Sequence, residues 1–247
     1  MEHAIREKHP VHEELGGYEG AKMGMWLFLA TELLLFGVLF AGFALFHTRF
    51  LDSFKIAHHS LDKVMGGTNT IVLIVSSMSV ALALDSIQRG RRKLCGYLLL
   101  VTIALASTFL VIKYFEYTHK FHIGIFPGEG VASLFEEAPP MHIVDPANDN
   151  HEEILLSDYI AREGLSEAAG QNLEKGIHLF FFFYFLMTGI HGLHVVIGMT
   201  VLAIIFFKNR KGRYSHWYYT PVENGALYWH LVDLIWIYLF PLFYLIS

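Results

Sequence analysis

The chain has 247 residues, of which 54% are hydrophobic, 15% aromatic and only 17% charged, with a formal net charge of −5. A soluble domain carries about 25% charged residues to wet its surface, and here the apolar residues also fall in long blocks, so lipid is the solvent for much of the chain. The absence of a basic stripe excludes nucleic acid as a partner, and the single cysteine, Cys95, excludes an internal disulfide, a Cys-rich zinc site, an iron–sulfur cluster and a dithiol pair.

Residues 1–22 read as a cytoplasmic tail. Its first 18 residues are charged and His-rich, with no short apolar core or small-residue cleavage site, so no removable signal peptide is expected. A hydrocarbon layer about 30 Å thick needs roughly 20 apolar helical residues. Five segments meet that length, near 23–46, 68–87, 94–115, 176–207 and 226–246. The expected fold is an all-α, polytopic membrane bundle over 23–247, in which the fourth span is long enough to tilt or to project from the bilayer.

Lysine and arginine give the sidedness, because cytoplasmic loops retain them in excess. Eleven lie in the N-terminal tail, the Arg89–Lys93 turn and the Lys208–Arg213 loop, against six in the two longer connections on the other side. That places the N-terminus in the cytoplasm and the C-terminus outside. Lys113, near the outer end of the third span, is expected to snorkel to the interface.

The long connection at 120–175 has a different composition. Prolines and glycines break its first half, and Ser157-Asp158 followed by Tyr159, Ile160 and Gly164 reads as a short capped helix. Eleven acids against Arg162 and Lys175 give residues 121–176 a net charge of about −9. A solvated outer loop accounts for this, and so does an acidic surface that steers a basic soluble partner such as a small cytochrome.

Polar residues inside the apolar blocks are the functional candidates. Glu32 lies near the middle of the first span, where an ionised and unpaired carboxylate is costly, so it is expected to be protonated, water-linked or partnered. His191 and His194 share a helical face on the fourth span, with Gly189 and Gly192 expected to admit a neighbouring helix. Two imidazoles with no carboxylate at a matching offset make a weak metal site, and hydrogen bonding between helices is the better reading. On the fifth span Glu223, His230 and Asp233 share a face, and His230 can reach Asp233 one turn on. Asn69 and Thr70 on the second span, with Glu116 and Tyr117 on the third, complete a buried polar seam. None of this forms a catalytic triad, a phosphate loop or a nucleotide fingerprint.

Three motifs carry a resemblance. Gly24-Met25-Trp26-Leu27-Phe28-Leu29-Ala30-Thr31-Glu32, Gly189-Ile190-His191-Gly192-Leu193-His194-Val195 and Tyr228-Trp229-His230-Leu231-Val232-Asp233, with Ile235-Trp236, closely resemble subunit III of haem–copper terminal oxidases. Their order on the first, fourth and fifth spans is that of the family, and Asn69-Thr70 and Glu116-Tyr117 look like family positions too.

The resemblance implies a non-catalytic subunit of the shorter, five-helix bacterial type in the inner membrane. It would pack on the catalytic subunit I beside subunit II of an enzyme that reduces oxygen to water. It implies no haem or copper in this chain, both residing in partner subunits, together with structural phospholipids and support of proton uptake. Glu32 matches the family's membrane carboxylate. Glu32, Trp26, His191, His194, Glu223, His230 and Asp233 are the proton-linked or lipid-binding candidates.

The acidic loop departs from the usual short connection, so its partner, a cytochrome c or other c-haem protein among the candidates, does not follow from the family. Accessory subunits of quinol oxidases and nitric oxide reductases look similar, and a stand-alone membrane metalloenzyme is the remote alternative.

Overall fold

The structure is a computed structural model that describes residues 11–127, 139–146 and 152–245, with side chains from residue 19 onward. His3 and His9 of the tail and Glu129, Glu136, Glu137 and Asp149 of the loop lie outside the described residues, as does the side chain of His12.

In chain order the elements are α1 (Val11–Arg49), α2 (Leu51–His59), α3 (Lys63–Gln88), α4 (Arg92–His122), β1 (His142–Val144), β2 (Glu153–Leu155), α5 (Leu156–Arg162), α6 (Glu167–Arg210) and α7 (Thr220–Tyr244). Five of these helices are long and apolar enough to cross a membrane: α1 from Glu19, α3, α4, α6 and α7. The all-α polytopic expectation is met, and each helix starts before its expected apolar block, by two residues in α4 and twelve in α1. Helix α6, with 44 residues, is about 66 Å long at 1.5 Å per residue and so extends beyond the hydrocarbon layer.

Local chemistry sets the helix ends. Asp62 starts α3, its Oδ1 accepting from the Val64 and Met65 amides at 2.8 and 3.1 Å, and Ser166 caps α6 through the Ala169 amide at 3.3 Å. Gly124, with φ 77°, ends α4 by letting the chain turn in the left-handed region, and a Cβ there would sit 2.5 Å from the Pro139 and Pro140 carbonyl oxygens.

Helices α3, α4, α6 and α7 form the packed bundle, and α1 leans on α6 and α7. Its core includes Trp229, Trp236, Tyr184, Phe109 and Phe180, all essentially inaccessible. The glycines that admit close helix approach are not the expected pair. A Cβ on Gly189 or Gly192 would meet nothing within 4 Å, whereas one on Gly198 would sit 2.9 Å from the Trp229 ring and one on Gly66 2.8 Å from Tyr244. Small residues act where a large ring faces them, and neither Gly189 nor Gly192 faces one.

The long connection contains a small antiparallel β1–β2 pair, with Ile143 opposite Ile154, which the sequence reading did not anticipate. Helix α5 follows at once. It begins at Leu156, and neither Ser157 nor Asp158 caps it, because the preceding Leu155 is already the extended residue at the helix start. Gly164, with φ 61°, ends the turn as expected. Arg162 clamps Asp145 with two bonds of 2.5 and 2.8 Å, and that contact holds its guanidinium pKa above the ordinary value.

Helix α2 is a short amphipathic element buried under this hairpin. His58 is 5% exposed, with Nδ1 2.6 Å from the Lys55 carbonyl oxygen. Burial holds its imidazole below the ordinary 6.5 despite that bond, and His59, Lys63 and Lys55 push the same way. A depressed histidine contributes stability that is complete above its unfolded value and is lost as pH falls toward the folded one. Corrected amide exchange in α2 is therefore expected to accelerate as the pH drops below about 6.5, and the His58→Gln variant should lose that acceleration.

Candidate functional site

Glu32 on α1 is partnered. Its Oε2 lies 2.8 Å from His194 Nε2 on α6, and His194 Nδ1 lies 2.8 Å from the Ile190 carbonyl oxygen. A carbonyl only accepts, so Nδ1 carries a hydrogen, and one further proton must lie between Nε2 and Oε2 to complete the contact. The pair is thus an interhelical clamp built around a shared proton. Phe36 packs edge-on against the His194 ring at 5.7 Å. Trp26 is not part of this clamp: it is 60% exposed and points out of the bundle.

One turn toward the start of α1, Phe28 packs on Tyr228 of α7 with ring centroids 5.9 Å apart. The Tyr228 hydroxyl donates to the His194 carbonyl at 3.1 Å. Both rings line a groove of about 890 Å³ between α1, α6 and α7. Its lining is apolar at Met25, Ile197, Val201 and Ile204 and polar toward the Lys208–Arg213 loop, at Lys208, Tyr214, Tyr218 and Asn224. Burial, with Tyr218 nearby, pushes the Tyr214 phenol above its ordinary value and keeps it a hydroxyl donor. Glu223, next to Asn224 in the chain, forms an ion pair with Lys22 of α1 at 2.7 Å. An oily groove with a cation and hydroxyls at one end suits an amphiphile with an anionic head.

On α7 the expected His230–Asp233 pair is not made. His230 Nδ1 instead lies 2.6 Å from Ser77 Oγ on α3. Ser77 thus ties His230 to α3, and Asp233 Oδ1 has no hydrogen-bond partner among the described residues. Thr70 accepts from Trp236 Nε1 at 3.1 Å. Asn69 and His191 are fully buried, and the expectation that both histidines bond between helices fails at His191, whose two ring nitrogens have no partner among the described residues.

The largest departure is at Lys113. It does not snorkel but turns inward, 7% exposed, and its ammonium donates to Glu116 Oε2 at 2.8 Å, to the Tyr244 hydroxyl at 2.8 Å and to the Tyr184 hydroxyl at 3.2 Å. Tyr184 donates onward to Glu116 Oε1 at 2.7 Å, and Tyr244 donates to the same oxygen. Tyr117 and Thr188 close the group with a 2.5 Å hydroxyl contact. Glu116 and Tyr117 were legible as polar positions; Lys113, Tyr184 and Tyr244 were not. The signal available was Lys113-x-x-Glu116 inside an apolar run, the spacing of a facing helical ion pair.

Among the described residues no three His, Cys, Asp or Glu side chains gather as a metal site.

Comparison with known proteins follows the same outline. A sequence model of the family "Cytochrome c oxidase subunit III" matches residues 6–125 and 170–247, both sides of the β1–β2 connection. The chain is 26% identical over 241 residues to "Cytochrome c oxidase subunit 3" of Damaliscus lunatus, covering 94% of this chain and 72% of that protein. It is 26% identical over 234 residues to the protein of that name from Balaenoptera musculus, covering 92% of this chain and 69% of that one. With the matched segments spanning all five membrane helices and the Glu32, His191, His194, His230 and Asp233 motifs, the chain belongs to the cytochrome c oxidase subunit III family, a part of an oxidoreductase complex.

Proposed function

We propose that this chain is the cofactor-free subunit III of a proton-pumping haem–copper oxidase in a bacterial inner membrane. It packs on subunits I and II, retains phospholipid and supports proton uptake while subunit I reduces oxygen to water. The N-terminus is cytoplasmic in this reading, by the distribution of Lys and Arg. The observation that carries it is the join between the groove and the Glu32–His194 clamp: Tyr228 lines one and bonds the backbone of the other. A phospholipid in the groove would set its phosphate near Lys208 and its chains against Met25, Phe28 and Val201, and would wedge α1 against α6. The clamp would then hold a proton at a depth where α1 is otherwise apolar.

Two substitutions test this in the purified complex. Lys208→Gln is expected to lower the amount of anionic phospholipid that co-purifies, since a head-group cation is removed while the packing stays. Glu32→Gln is expected to leave assembly intact and to shorten the time over which the enzyme sustains turnover. Lipid content and turnover lifetime equal to the parent in both variants would refute the reading.

A second reading concerns the acidic connection, which lies between the two matched segments of the family model. We infer that it steers a basic electron donor such as a cytochrome c. Exchanging Asp158, Glu163 and Glu167 for Asn and Gln is expected to slow donor association at low ionic strength and to leave it unchanged at high salt. Equal rates at both ionic strengths would assign the loop to solvation alone. Donor identity, cytochrome or quinol, rests with the partner subunits, as does an accessory role in a nitric oxide reductase.

A further inference from the structure

Among the described residues, two fully buried side chains of the four-helix bundle have no hydrogen-bond partner at any polar side-chain atom. His191 of α6 is fully buried with Nδ1 and Nε2 both unpartnered, and Asn69 of α3 is fully buried with Nδ2 and Oδ1 both unpartnered. Each such atom costs about 1–3 kcal/mol when left dry. Four in one layer exceed what a marginally stable bundle tolerates.

The two side chains lie at the same level. The His191 ring packs on Trp236 at 5.2 Å and edge-on to Phe109 at 5.6 Å, and those two rings are 4.8 Å apart. Trp236 is fixed to α3 at Thr70, the neighbour of Asn69. Antiparallel α3 and α4 are registered by the bond from Ser79 Oγ to the Leu98 carbonyl oxygen. Asn69 belongs to the buried stripe of α3 that runs through Leu73, Ser76 and Val80, beside Ser79. Asn69 is ten residues back from Ser79, and Phe109 is eleven forward from Leu98, within one residue of the same level. Asn69 therefore meets the bundle axis in the layer that holds Phe109, Trp236 and His191.

The cluster one turn away cannot serve them. Lys113 spends its three donors on Glu116, Tyr184 and Tyr244. Thr188 is committed to Tyr117 and to the Tyr184 carbonyl.

We infer that this layer is an internal water site, one or two molecules bound between α3 and α6 by the Asn69 amide and the His191 imidazole. Water is the ligand whose chemistry fits. It both donates and accepts, as a carboxamide and a neutral imidazole together require. Internal waters elsewhere are held by two to four such groups. The ring faces of Trp236 and Phe109 exclude anything that needs an apolar cleft of its own. The site is separate from the amphiphile groove and does not depend on it: no groove-lining residue belongs to it.

The test uses the intact complex. A cryo-EM map at a resolution that resolves water is expected to show a peak within hydrogen-bonding distance of both the Asn69 amide and a His191 nitrogen. A direct Asn69–His191 bond, or a layer with no peak, overturns the site. A stability cycle reads it independently. If the two residues share water, Asn69→Leu and His191→Phe each strand the other residue, and the double variant melts higher than the sum of the single losses predicts. Strictly additive losses overturn it. Should a variant fail to assemble, the map of the parent complex still decides.

Discussion

Replacing Lys113 by Met is expected to destabilise the bundle by about 3–5 kcal/mol, the range for removing one member of a buried ion pair. The loss does not come from attraction alone. In the parent, the ammonium shares Glu116 with two tyrosines, and its own donors are all used. Without it, the Glu116 carboxylate would remain 3% exposed with only the Tyr184 and Tyr244 hydroxyls facing it. Those tyrosine hydroxyls would also lose the donor they accept from. The face of Trp236, 4.7 Å from the ammonium, would lose a cation–π contact.

The double variant Lys113→Met, Glu116→Leu separates this account from simple overpacking. Removing both charges removes the stranded carboxylate, so most of the stability should return. The check is the temperature at which this subunit dissociates from the purified complex. A double variant no more stable than Lys113→Met would show that the pair matters by shape and not by charge.

Trp229→Ala is expected to cost a similar amount, about 3–5 kcal/mol, as large core truncations do. Trp229 is inaccessible, donates from Nε1 to Ser76 Oγ at 3.1 Å, and fills the notch left by Gly198 on α6. In lipid the penalty survives, because the cavity forfeits dispersion contacts whichever solvent surrounds the helices. The notch is tested from its other wall by Gly198→Val. A Cβ there would meet ring atoms at 2.9 and 3.0 Å on Trp229 and 3.1 Å on Tyr228, and neither ring can bend away. The expected loss is about 1–3 kcal/mol from overpacking, read as the same shift in dissociation temperature. Tolerance of valine would mean that α6 and α7 are not held at this contact.

Much of the fold was legible because it follows from one-dimensional signals. Apolar block length fixed five helices, and Gly164 marked a chain reversal. What was not legible depended on which helix faces which. Gly189 and Gly192 have the small-residue spacing of a helix contact, yet the large rings lie opposite Gly198 and Gly66. Lys113 has the position of a snorkelling lysine, but Tyr184 and Tyr244, from two other helices, offer it hydroxyls and draw it inward. His230 is three residues from Asp233 on its own helix, and a serine of α3 takes the bond instead. In each case local spacing named the residue that needed a partner, and tertiary packing chose the partner. Glu32 is the reverse case. Its need for a partner was evident from depth alone, and His194 came from a motif recognised separately.

The central claim is that this chain carries no redox centre and supports chemistry housed in its partners. Purifying the native complex through this chain, splitting the chain away with a harsher detergent, and assaying iron, copper and haem in each fraction measures it directly. The account predicts haem and copper only in the partner fraction, with phospholipid enriched in this one. Stoichiometric iron, copper or haem remaining on the isolated chain would contradict it.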